Sequence, residues 1–409
     1  MHLRLQRIDI SLIKIISILL YFKIQDFIFL FILFVVLMAG NVFCWGFGKE
    51  GELGLGDKES RHLPSRITTK GDVIKVICGN YCTLAIKSNG SVWVWGKNKD
   101  NRLGVGTEIV DNILKPMKLK GLDNIKIIDI ACGFGHCIAT TNQGELYGWG
   151  KGNKNQLGPK ITSTVSNPAK IELPFPVLDI ACGFNCSLVI SEDGDIYSWG
   201  SNVHKQLGRP IQSNEGFPCK IPNLPTMKNL SCGISYVGAI TKDNQLYMWG
   251  SNKSGELGLG YSSDYCENPT IVEGLSDVLK ISCGKSTTHP HTLAITNEKK
   301  VYAWGDTYKD QLGLDIDKPF ISIPTEIEFF SGKDIMDVQA GGIHSMSLCE
   351  NTIYTWGCGS DGRLGHPEYK GHRYLYKESI PRSISSKSKT ISISCSYYHC
   401  ACIAHKSNE

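Results

Sequence analysis

Trp-Gly occurs seven times in this chain, at Trp45, Trp95, Trp149, Trp199, Trp249, Trp304 and Trp356, with intervals of 50, 54, 50, 50, 55 and 52 residues. A leucine followed by glycine stands eight residues after every one of them, from Leu53 to Leu364. Seven near-equal units cannot each bury a face alone, so self-similarity at this period is first a statement about architecture. Two residues before each tryptophan is an aromatic (Phe43, Trp93, Tyr147, Tyr197, Tyr247, Tyr302, Tyr354), and one step earlier an aliphatic. Positions two apart in a strand share a face, so aromatic and tryptophan point one way and the aliphatic the other. Both faces are apolar, as in a sheet packed on each side.

The rest of each unit reads as strands too. A proline stands three residues before an aliphatic, as in Pro64 and Ile67 or Pro168 and Ile171. Proline lacks the ladder donor and suits an edge strand. A core strand then runs into Cys-Gly, as in VIKVICG, and TLAIKSNGSVWVWG follows as two alternating runs joined by a turn. Four short strands per unit, repeated radially, predict an all-β, seven-bladed β-propeller. The chain ends support closure. AGNVFCWG is the second arm of a hairpin and HCACIAHKSNE a first arm, so Val42 to Trp45 is expected to complete the sheet carrying Cys400 to Ala404.

Two regions divide the chain: a hydrophobic N-terminal segment, residues 1–38, and the propeller, 39–409. The first is Leu/Ile/Phe-rich but interrupted by Lys14, Lys23 and Asp26. Its longest charge-free run, Phe27 to Ala39, has 13 residues, whereas about 20 are needed to cross a bilayer. It reads as a signal or anchor segment, or as a gene-model artefact upstream of a start at Met38. All 16 cysteines follow that methionine. Cys78, Cys132, Cys182, Cys232, Cys283 and Cys395 hold one repeat position on different sheets and read as small buried hydrophobes, which favours a reducing compartment.

Composition and motifs exclude several function classes. The charges sum to only +4 over 409 residues and the basic residues are scattered, so nucleic acid is not expected. Gly46, Gly48 and Gly51 match G-x-G-x-x-G, but no helical stripe follows and the match returns at Gly357, Gly359 and Gly362, which is turn chemistry. The repeat tryptophans read as core. His136, His344 and His399 share one repeat position in separate blades and read as packing, and strand alternation separates His399 from Cys400 and Cys402, against a metal. No nucleophile elbow, P-loop or H-E-x-x-H is present, so no catalytic residue, cofactor or enzymatic activity is expected.

The joint pattern of Trp-Gly, Leu-Gly eight later, the proline, and Cys-Gly followed by His-x-x-Ala resembles the regulator of chromosome condensation repeat family, over Asn41 to about His405. The resemblance implies a single seven-bladed propeller and a range of tasks: nucleotide exchange on a small GTPase, chromatin binding, light sensing, and scaffolding within larger proteins. Fold does not choose among them. The first expectation is a non-enzymatic protein-interaction propeller acting as scaffold or regulator, and the alternative is a guanine-nucleotide exchange factor for a small GTPase. The expected partner is a protein, the chain a monomer, and the location cytoplasmic or nuclear, with a membrane involved only if residues 1–38 are retained.

Two departures from the repeat mark candidate partner-binding surface, because extra residues in propellers go into the loops. In CGKSTTHPHTLAI, four residues extend the loop between Gly284 and His291, bringing Lys285, His289 and His291. In HPEYKGHRYLYKESIPRS the candidates are His366, Tyr369, Lys370, His372, Arg373 and Tyr374, types favoured at interaction hot spots.

Overall fold

Seven four-stranded antiparallel sheets follow one another along the chain, and all but the last take their strands in simple sequence order. The computed structural model describes residues 40–69, 72–161, 163–210, 216–367, 376–384 and 389–405. The hydrophobic segment 1–38 lies outside the described residues, and among those described no helix is long and apolar enough to cross a membrane. Blade 1 consists of Val73–Gly79, Cys82–Lys87, Val92–Gly96 and Ile113–Lys118. Blades 2 to 6 repeat it at 127–171, 177–220, 227–271, 278–326 and 335–383. Blade 7 takes Lys389–Cys395 and His399–His405 from the end of the chain and Asn41–Gly46 and Arg61–Arg66 from its beginning. Asn41 pairs with Ala404, Val42 with Ile403 and Trp45 with Cys400, which is the closure the terminal sequences predict.

The motif spacing has a geometric cause. Each repeat indole is fully buried, and its Nε1–H donates to the backbone carbonyl of the residue seven after the preceding blade's tryptophan. Trp95 donates to Glu52 (2.9 Å), Trp149 to Arg102 (3.0 Å), Trp199 to Gln156 (3.0 Å) and Trp249 to Gln206 (3.0 Å). Trp304 donates to Glu256 (2.9 Å), Trp356 to Gln311 (2.9 Å) and Trp45 to Arg363 (3.1 Å), completing the circle. Leu-Gly follows that carbonyl because the leucine fills the core and the glycine lies against the same indole. A Cβ on Gly54, at φ +70°, would stand 2.8 Å from Trp95 Nε1. Burying roughly 200 Å² per indole is worth about 5 kcal/mol as an upper bound.

A second set of contacts joins the blades nearer the axis. His136, His344 and His399 are buried as expected, and His291 proves to be a fourth member of the same repeat position. His136 Nε2 lies 3.0 Å from Ser187 Oγ, His291 Nε2 2.9 Å from Ser345 Oγ and His399 Nε2 2.8 Å from Thr83 Oγ1, each in the next blade. Those hydroxyls donate, at 2.7 Å, to the carbonyls of Gln156, Gln311 and Glu52, the same oxygens the indoles use. A hydroxyl whose proton is committed must accept from the imidazole, which fixes the Nε2–H tautomer. Burial holds His136 down to about 4 and His291 and His399 down to about 3, so all three are neutral.

Gly46, first of the G-x-G-x-x-G glycines, closes a strand. At φ +103° a Cβ there would come within 2.7 Å of the Tyr398 carbonyl, and the chain goes on through turns to the strand Arg61–Arg66 without a helix. The pattern belongs to the blade edge.

Candidate functional site

In each blade the innermost strand runs toward Cys-Gly, or toward Ala340-Gly341 in blade 6 and Cys395-Ser396 in blade 7, and the third toward Trp-Gly, so the loops after both motifs emerge on one face. The channel opening onto that face is nearly filled. Cys78, Cys132, Cys182, Phe134, Ile234, Lys285 and Tyr397 line a space of about 20 Å³, room for about one water. Aromatic pairs cover it: Phe134 with Phe184 at 4.4 Å between centroids, Tyr397 with Tyr398 at 4.3 Å, and Tyr81 with Tyr398 at 5.1 Å. The innermost strands carry polar pairs instead, Lys75 with Asp129 (2.6 Å) and Lys280 with Asp337 (2.5 Å). Asp179 there accepts the Leu230 N–H at 2.7 Å, and burial, reinforced by Asp129, raises its pKa to about 6.

The candidate residues separate in the structure. Lys285 is half-buried and turned toward the channel, where its Nζ donates to the Cys232 carbonyl. His289 is half-buried on the face, with Nδ1 3.2 Å from Asp306 Oδ1 and its ring stacked on Tyr308 at 4.2 Å. His291 and His366 correct the surface expectation. The four extra residues end before His291, the repeat register resumes there, and the ring enters the core at 0% exposure. His366 is 3% exposed and lies 3.1 Å from Thr355 Oγ1 inside blade 6. Tyr369, Lys370, His372, Arg373 and Tyr374 lie outside the described residues.

No sequence motif marks the groove of about 370 Å³ that lies on the same face, spread over blades 2 to 5, a volume within the range of binding sites. Its apolar walls are Phe184, the buried Ile234 and Val203, which is 75% exposed. Ser201, Ser235 and Ser251 add hydroxyls, the last donating to Glu256 Oε1 at 2.7 Å. Lys154 and Lys253 stand along the edges with His204 between them in sequence. Burial and then the charge of Lys253 hold the His204 pKa below its ordinary value, leaving it neutral. No carboxylate lines the groove, whose lining is made of described residues. Thr287, from the loop that the sequence marks as extended, reaches its rim. That extension was the only local signal, because the other residues come from five separate loops. Among the described residues, no group of three His, Cys, Asp or Glu side chains could hold a metal ion.

Residues 32–346 match the family model described as the RCC1-like domain, and 350–403 match the regulator of chromosome condensation (RCC1) repeat. The chain belongs to the RCC1-like family. Among curated RCC1-like relatives, the ultraviolet-B receptor UVR8 of Arabidopsis thaliana is 31% identical over 341 residues, covering 81% of this chain and 76% of that protein. The mouse E3 ubiquitin-protein ligase HERC2 is 32% identical over 330 residues, which are 78% of this chain and 5% of HERC2. The solved structure of yeast RCC1 (Prp20) bound to Kap60 superposes with a TM-score of 0.80 at 23% identity, covering 91% of this chain and 90% of that one. A crystal structure of human WBSCR16 gives 0.78 at 21%. These two likenesses concern the fold.

Proposed function

We propose that this RCC1-like propeller is a non-enzymatic interaction module, a scaffold or regulator that engages a protein partner through the loop face. The groove walled by Phe184, Ile234 and Val203 carries this reading, since exposed apolar surface bordered by polar groups is what protein docking uses. The lining supplies hydroxyls, amines and rings but no carboxylate and no pair of acids, and the one acid bonded to a lining hydroxyl, Glu256 with Ser251, is itself buried, so the arrangement suits binding rather than chemistry. Likeness to a receptor, UVR8, over most of this chain supports the same reading, and such a module works in either the cytoplasm or the nucleus. Prp20p of Saccharomyces cerevisiae, which shares the fold, has binding properties toward Gsp1p and histones. The small GTPase that the repeat resemblance suggests is therefore among the partners to test.

The test places a photo-crosslinking residue at Val203 and, as control, at Ile323, which is 57% exposed on an outer strand. Discrete protein adducts are expected from Val203 and not from Ile323 in the cells that express the protein. Absence of a Val203-specific adduct would overturn the docking face. Accelerated release of fluorescent nucleotide from a panel of small GTPases by the purified chain would replace the scaffold reading with exchange.

A further inference from the structure

Resting on that docking reading, we infer that the groove selects an acidic peptide segment of the partner, one that also carries an aliphatic or aromatic side chain. Charge is the first reason. Lys154 makes no ion pair with any described residue, and Lys253 has only a long, exposed contact with Asp264 at 3.7 Å. Three other cations on the loop face are already engaged: Lys97 with Glu50 at 2.5 Å, Lys205 with Glu267 at 2.9 Å and Arg363 with Asp361 at 3.2 Å. An exposed ammonium with no partner gains from an incoming carboxylate without first breaking a bond. Lys154, together with Lys253, whose one contact is long and exposed, stands beside a lining that holds no carboxylate and gives the groove a positive potential.

Shape is the second reason. Between the amines the walls are Phe184, Ile234 and Val203, too apolar for a purely charged ligand and open enough at about 370 Å³ for one side chain and its backbone. The hydroxyls of Ser201 and Ser235 can donate to or accept from an extended backbone. A basic segment would set like charges together, and a phosphate-only ligand would leave the apolar walls in water.

The probe is a fluorescein-labelled glutamate-rich decapeptide with one central leucine. Two controls accompany it, one with lysine for every glutamate and one with serine for the leucine. Fluorescence anisotropy with the full chain is expected to show saturable binding of the first peptide, at least tenfold weaker binding of both controls, and weakening between about 50 and 300 mM salt, numbers of the order expected for a two-cation site. Lys154→Gln with Lys253→Gln should lower affinity about tenfold at an unchanged melting temperature, since both side chains are exposed. Binding that ignores this double variant, or that prefers the lysine peptide, would overturn the acidic assignment. So would the absence of binding by any of the peptides. In that case Val203 adducts, if obtained, would leave the docking face standing, so the two readings fail separately.

Discussion

The inner halves of the blades and the loop face above them differ in how far the seven repeats agree. At every interface an indole donates to a carbonyl of the preceding blade, whether the residue bearing that carbonyl is Glu52, Arg102 or Gln156. A backbone acceptor is indifferent to side chain, so these positions vary while the tryptophan stays. On the face the reverse holds. At the places that form the groove Phe184 is matched only by Phe134 and Lys154 only by Lys309, and no other blade has a valine where blade 3 has Val203. Repetition holds the ring together, and departure from it makes one sector unlike the rest.

The sharpest way to break this contrast is Trp199→Ala. It removes a fully buried indole and one of the two donors to the Gln156 carbonyl, leaving Ser187 Oγ, with an expected loss of about 3–5 kcal/mol in denaturant unfolding. A loss below about 1 kcal/mol would show that the indole ring does not carry the interfaces.

The histidines sharpen it through pH. Their folded values of about 3 to 4 lie below the ordinary 6.5, so the unfolded chain binds protons more readily in between. Stability present above about pH 6.5 is therefore lost as pH falls toward 4. Each histidine contributes about 1.4 kcal/mol per pH unit in that window. In unfolding measurements at about pH 7, 6 and 5, His136→Asn should shallow the slope by one proton. An unchanged slope would mean that His136 is protonated inside the fold.

Glu52 moves the opposite way. It is 0% exposed, its Oε1 has no partner, and burial raises its pKa from 4.5 to about 8. Its folded state prefers the proton, so stability declines as pH rises from about 4.5 to 8. Blades 2, 3 and 5 have glutamine at this place (Gln156, Gln206, Gln311). Glu52→Gln should stabilise the chain by about 1–3 kcal/mol near pH 8 and by little near pH 5. Equal effects at both would remove the buried acid as the cause. Smallest of all, Val203→Ser should shift stability by less than about 0.5 kcal/mol, because the side chain is exposed, while abolishing any capture through the groove. A large destabilisation would make Val203 a structural residue.

Blade number, strand order and the pairing of Val42 to Trp45 with Cys400 to Ala404 could be read from the sequence because they rest on local spacing repeated seven times. The reason for the eight-residue interval could not, since the indole's acceptor lies in another blade about 43 to 48 residues earlier, and for Trp45 near the other end of the chain. His291 was misplaced because an inserted loop hid its His-x-x-Ala context. The groove escaped because Lys154, Phe184, Val203, Ile234 and Lys253 come together only when neighbouring blades stand side by side. No window of sequence contains them.

The seam of the ring has a practical meaning for anyone cutting or rejoining the chain. Asn41 and Ala404 are opposite one another in a single ladder, so a short turn like the Ser88-Asn89-Gly90 bend of blade 1 could connect the two ends without stretching either strand. New termini could then be opened at the hairpin bend of any other blade. Which blade is numbered first is a matter of convention, and a permuted chain should find the same circle.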